Sequence, residues 1–170
     1  AKAGADTDLF NAWRYTAGDR RVVVAVIDGG VMYDRPDLAA NMWVNEAEKN
    51  GKSGTDDDGN GYVDDIYGYN FVSNSGKVTA DSHGTHVAGT VAAVNNNGIG
   101  VCGVAGGSGK GDGVRIISCQ IMSNGEPAGP GPTAKAIEYA ADRGACVLQN
   151  SWGFGAGQIA EKLNVLHIKP

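Results

Sequence analysis

Paired thiols are absent. The 170 residues contain three cysteines, Cys102, Cys119 and Cys146, an odd number without C-x-x-C spacing. That excludes a disulfide framework and a thiolate zinc site, and the three read as small buried residues in or near strands. No apolar run reaches membrane-spanning length, and Ala1-Lys2-Ala3-Gly4 has no signal-peptide apolar core. The expectation is a chain with no membrane partner, either cytosolic or supplied already trimmed. Positive charge is also scarce: 14 Lys and Arg against 19 Asp and Glu leave a net charge of −5. Such a balance gives no electrostatic case for nucleic acid or an anionic surface as partner.

Glycine, by contrast, is abundant. The 27 glycines lie scattered between apolar runs rather than in a collagen-like period, which predicts many tight turns and close backbone approaches. The length suits one domain with a real core. Asp6 to Tyr15 reads as a short surface helix, with Leu9, Phe10 and Trp13 on one side. Val22 to Ile27 is continuously apolar and β-branched, the mark of a strand buried on both faces, and it runs into Asp28-Gly29-Gly30. A short, weak helix over 40–48 and an extended stretch over 67–72 follow. Val114 to Met122 reads as a second strand, 123–131 as a Gly/Pro loop, and Thr133 as the cap of a helix running to Arg143. Ala145 to Gly153 reads as a third strand and Gln158 to Val165 as a last helical segment. Strands alternating with helices predict a parallel sheet with right-handed crossovers, an α/β fold.

Two stretches carry chemistry. Asp81-Ser82-His83-Gly84-Thr85-His86-Val87-Ala88-Gly89-Thr90 begins with two good N-caps and continues as a stripe of small apolar residues, Val87, Ala88, Val91, Ala92 and Val94. The helix predicted from it runs to Asn95-Asn96-Asn97-Gly98. His83 falls in its first turn, where the positive helix end favours the neutral, proton-accepting imidazole. Asp28, at the carboxyl end of a parallel strand, stands where open sheets place their ligands. The second stretch is acidic. Asp56, Asp58 and Asn60 supply oxygen at calcium-loop spacing, Gly61 allows the sharp turn and the Tyr62 carbonyl follows. Tyr67 stands where the bidentate glutamate belongs, so Asp64 or Asp65 must close the shell. Gly98-x-Gly100-x-x-Gly103 follows a helix rather than a strand, and Gly109-Lys110 is followed by Gly111, so neither glycine string reads as a nucleotide loop. His83 and His86 are three residues apart without H-E-x-x-H, which argues against a metal-dependent hydrolase.

Strand–Asp28-Gly29-Gly30, then His83-Gly84-Thr85-His86-Val87-Ala88-Gly89, then Asn150-Ser151-Trp152-Gly153 strongly resembles the subtilisin-like serine proteases, from about Val22 to Gly153. The resemblance implies a three-layer parallel-sheet fold, of which these residues form the N-terminal half of the catalytic domain, with 156–170 unassigned. It implies Asp28 as the orienting acid, His83 as the general base and His86 as a structural residue. Ser151, Trp152 and Gly153 would form one wall of the substrate cleft and Gly125 would lie near the other, both pairing an extended peptide. A family calcium would engage Asp37, the carbonyls of Val94, Ile99 and Val101, and one of Asn96 or Asn97. The span between Asp28 and His83 is longer than in simple subtilisins, so the 56–65 loop reads as an added calcium clip. The G-T-S-M-A-type nucleophile motif and the A-G-N-type oxyanion turn do not occur in these residues. The expectations are therefore a serine endopeptidase whose nucleophile comes from a missing C-terminal half, inactive as this chain alone, and secreted or in the cell envelope. The alternative is a calcium-binding or interaction module that retained the scaffold without catalysis.

Overall fold

A computed structural model describes residue 4 and residues 6–153. The helix expected over 158–165 lies outside the described residues. Four strands form one all-parallel sheet in the order β2 (Gly68–Asn70), β3 (Arg115–Gln120), β1 (Val23–Asp28), β6 (Val147–Gln149). Every residue of β1 is buried, as its unbroken apolar run requires.

The pleat divides the core in two. Val24, Val26 and Ile116 face α3 (Ser82–Ala92) and pack with Ala88, Ala92, Val31, Leu38 and Met42. Val23, Ala25, Ile27, Ile117 and Cys119 face α4 (Pro130–Asp142) and pack with Ala136, Tyr139 and Ala140. Helix, sheet and helix make the three layers expected. The small residues Ala88 and Ala92 are fully buried at 0 % exposure, so a larger side chain at either would overpack the seam by about 1–3 kcal/mol.

Several boundaries differ from the sequence expectation. The first helix shrinks to α1 (Leu9–Ala12). The segment 40–48 divides into a 3-10 turn at Ala39–Asn41 and α2 (Glu46–Asn50), because Met42 bridges to Ile116 between them. α3 stops at Ala92, where Ala93 turns extended, three residues before the asparagine run. The loop expected over 123–131 contains a hairpin, β4 (Met122–Ser123) and β5 (Glu126–Pro127), turning through Asn124 and Gly125 at φ 53 and 80. Asn-Gly at positive φ is the preferred two-residue turn. α4 begins at Pro130, which suits a first helical turn, and leaves Thr133 inside the helix, its hydroxyl bonded to the Gly129 carbonyl. Cys119 is buried in β3, but Cys102 and Cys146 are exposed, which corrects their reading as buried residues.

Candidate active site

β1 delivers Asp28 at the open end of the sheet, in register with Gln120 of β3. The carboxylate is 1 % exposed. Unpaired, a charge there would cost several kcal/mol. Instead Oδ1 accepts from the Gly29 amide at 2.7 Å, and His83 Nδ1 lies 2.9 Å from Oδ1 and 3.0 Å from Oδ2.

Asp81 sets where His83 begins. Its extended backbone and side chain cap α3, accepting from the Gly84 amide at 2.9 Å, a contact worth about 1 kcal/mol. Gly84 is buried where a Cβ would strike the Gly30 carbonyl and come within 3.2 Å of Asp28 Oδ1. Only glycine lets the helix start lie this close to the strand end. Nδ1 donates to Asp28, which leaves Nε2 as the ring's acceptor on a side chain that is 57 % exposed. The hydrogen bond and then the charge of Asp28 raise the His83 pKa; loss of solvent pulls it down and Asp81 adds a smaller lift. The adjacent carboxylate thus acts against the helix end, which favours the neutral ring. Among the described residues no serine hydroxyl is hydrogen-bonded to His83.

The residues expected to bind substrate lie on separate segments. Gly125 is exposed at the tip of the β4–β5 hairpin. Ser151, Trp152 and Gly153 follow β6, which ends at Gln149 rather than at Gly153. Trp152 donates its indole N–H to the Ile27 carbonyl at 2.8 Å and packs against the α4-side core, bracing the residue before Asp28. Ser151 Oγ accepts from Gln149 Nε2 at 2.9 Å.

The acidic loop is a knot of its own amides. Asp56 accepts from the Asn60 and Gly61 amides at 3.0 and 2.7 Å, and Asn60 Oδ1 accepts from the Tyr62 amide. Asp65 turns inward at 0 % exposure, accepting from Asn45 at 2.7 Å, Tyr139 at 2.8 Å and Asn60 at 3.0 Å. Asp64, with φ 55, turns away and accepts from the Gly54 amide. Of the two candidates for closing the loop, Asp65 is the one that reaches Asp58 and Asn60. Burial pushes the Asp65 carboxyl pKa upward, while its hydrogen bonds oppose that shift.

Glu48, on α2, was not foreseen. It is 3 % exposed, accepts from the amides of Asp57, Asp58 and Asp64, and brings an oxygen within 4.8 Å of those of Asp58 and Asp65. No spacing rule links it to the loop, because the contact is tertiary. Arg143, the C-cap of α4, completes the cluster, bonding Asp58 Oδ2 at 3.0 Å. The donor set is carboxylate, amide and carbonyl oxygen, the chemistry that calcium requires.

At the far end of α3, Asp37 Oδ1 accepts from Asn97 Nδ2 at 2.7 Å and Oδ2 from the Val101 amide at 2.8 Å. Asn97 Oδ1 in turn accepts from the Ile99 amide, and the Val94 amide donates to the Asp37 carbonyl. Asn96 faces elsewhere, donating to the Ser108 carbonyl. Asn97 is therefore the asparagine brought to Asp37.

The sequence has relatives among known proteases. Subtilisin-like protease 1 of Plasmodium vivax is 39 % identical over 163 residues, covering 95 % of this chain and 24 % of the relative. A halolysin-like extracellular serine protease of Natrialba magadii is 34 % identical over 146 residues, 84 % of this chain and 22 % of that protein. The chain thus spans about a quarter of the length of these relatives. Among solved structures, fervidolysin from Fervidobacterium pennivorans, described as a keratinolytic enzyme related to subtilisin, superposes with a TM-score of 0.56 at 26 % identity, over 90 % of this chain and 20 % of that one. The family model of the subtilases, peptidase S8, matches residues 19–166, and the chain belongs to that family.

Proposed function

We propose that the protein carrying this chain is a subtilisin-type serine endopeptidase in which Asp28 orients His83, and His83 serves a serine outside these 170 residues. The observation that carries the reading is the buried Asp28 carboxylate on His83 Nδ1, which fixes the tautomer and leaves Nε2 to accept a proton. The serine oxygen attacks the scissile carbonyl as its proton passes to Nε2. His83 then returns that proton to the leaving amine, and water repeats the sequence on the acyl-enzyme. An extended peptide would lie between the β4–β5 hairpin, with Gly125 at its tip, and Ser151–Gly153. Alone, the chain lacks both the nucleophile and an oxyanion-hole asparagine, the latter worth about 3–4 kcal/mol to the transition state, so it should not turn over peptides.

Two calcium sites belong to the same proposal. One uses Asp56, Asp58, Asn60, the Tyr62 carbonyl and Asp65, joined by Glu48; the convergence of Glu48, Asp58 and Asp65 oxygens supports it. The other uses Asp37, Asn97 and the carbonyls of Val94, Ile99 and Val101, supported by the pairing of Asp37 with Asn97. In both, the cation would hold loops in place, and in the first it would also offset the clustered carboxylates; it has no part in peptide cleavage. Secretion is part of the reading, supported by the extracellular relative of Natrialba magadii. Among the described residues no helix is long and apolar enough to cross a membrane. The test is hydrolysis of a chromogenic peptide by the full-length protein, blocked by a serine-directed phosphonate. A folded protein that neither cleaves nor reacts would favour the non-catalytic module.

A further inference from the structure

Three segments meet behind the Asp28–His83 pair, and one buried side chain joins them. Gln120, the last residue of β3, is 2 % exposed and lies directly beside Asp28 in the sheet register. Its side-chain hydrogen bonds all leave β3. Oε1 accepts from the Thr79 amide at 2.9 Å, and Nε2 donates to Thr79 Oγ1 at 2.7 Å and to the Met122 carbonyl at 3.1 Å. Thr79 lies two residues before the helix cap Asp81, and Met122 opens the β4–β5 hairpin.

The glycine turn after Asp28 presses against the same strap. Gly30, at φ 113, leaves no room for a Cβ against the Thr79 carbonyl, and a Cβ there would also come within 3.2 Å of Gln120 Oε1. A Cβ on Gly29 would meet Asp81 Cγ at 2.7 Å. The segment 79–81 therefore lies directly on the exit of β1, and Gln120 is what bonds it there. A residue doing this controls where α3 starts, and with it the distance between His83 and Asp28. A buried polar side chain with every bond satisfied fixes geometry more narrowly than apolar packing does.

We propose that Gln120 is a positioning residue, holding the entry of the histidine helix and the start of the substrate-side hairpin to the strand that ends beside Asp28. The proposal rests on the protease reading above. The experiment uses the full-length protein with Gln120→Met, which keeps length and volume but removes all three hydrogen bonds. We expect kcat on a chromogenic peptide to fall at least tenfold, the acid limb of the pH profile to move, and the NMR resonance of the proton between His83 and Asp28 to shift or broaden. Thr79→Val, which removes only the hydroxyl, should produce a smaller loss in the same direction, and Thr79→Ser should restore wild-type values. A Gln120→Met protein with a lowered melting temperature but unchanged kcat, pH profile and His83 resonance would overturn the proposal. If Gln120→Met does not fold, the Thr79 pair decides: a Thr79→Val protein indistinguishable from Thr79→Ser in all three readouts overturns it equally. A wild-type protein without peptidase activity counts against the protease reading alone, because the His83 resonance still reports on Gln120.

Discussion

Asp28 and Asp65 are both buried carboxylates, at 1 % and 0 % exposure, and they are held in opposite ways. Asp28 stands on a strand, faces one imidazole on one helix, and has its charge matched by a group that can itself become positive. Asp65 stands in a loop and is surrounded by neutral donors, Asn45, Asn60 and Tyr139. Asp58 and Glu48 lie close by, and Arg143 bonds Asp58. The first arrangement calls for no cation, because a strand and a helix carry its two members. The second gathers more negative charge than its neighbours neutralise, and a divalent cation would complete it.

The largest effects should come from breaking the first arrangement. In the full-length enzyme Asp28→Asn should cost roughly ten-thousand-fold in kcat, because the imidazole would then be held in the wrong tautomer. His83→Ala should cost at least as much. Both should leave the calcium dependence of melting intact, which a calorimetric scan can check. The loop gives the reverse pattern. In a chelator-stripped sample, added calcium should raise the melting temperature, by about 2.7 kcal/mol of stabilisation at roughly 100 times Kd. Asp65→Asn or Glu48→Gln should blunt that response. A titration that leaves melting unchanged in the folded wild type would mean that the loop binds no calcium.

The Asp28–His83 corner was legible because the elements that carry its two residues have local signals. An unbroken β-branched run gives β1, an aspartate before a stripe of small residues gives the start of α3, and His83 follows in the first turn. The loop was legible in part. Alternate oxygen residues before Gly61 point to a cation, but Glu48 is joined to them by folding, and the choice between Asp64 and Asp65 depends on a positive φ at Asp64. The β4–β5 hairpin had a local signal, Asn124-Gly125, that was outweighed by the surrounding glycines and prolines. The exposure of Cys102 and Cys146 had none, since free cysteine is usually buried and nothing local marks these two as exceptions.

Proton affinity sharpens the comparison further, with a smaller effect. Because Asp28 raises the His83 pKa above its ordinary value, the base becomes active as pH rises through that elevated value, so the acid limb of kcat/KM should lie above the ordinary histidine value. The linked stability has the opposite sense. It is fully present below the unfolded histidine value and is lost as pH rises through the folded one. An NMR titration of His83 against Asp28→Asn should show the value fall in the variant. The smallest effect is expected at His86, which is exposed. His86→Ala should leave kcat unchanged and shift stability by no more than about 0.5 kcal/mol, measured by denaturant unfolding.

In the proposed enzyme Asp28 and His83 form a complete acid–base pair serving a serine beyond these residues. The most direct measurement is to label the full-length protein with a serine-directed phosphonate and map the adduct by peptide mass spectrometry, beside a His83→Ala control. One labelled serine outside residues 1–170 is expected, with labelling lost in the control. An adduct on Ser82, Ser118, Ser123 or Ser151, or labelling that survives without His83, would contradict it.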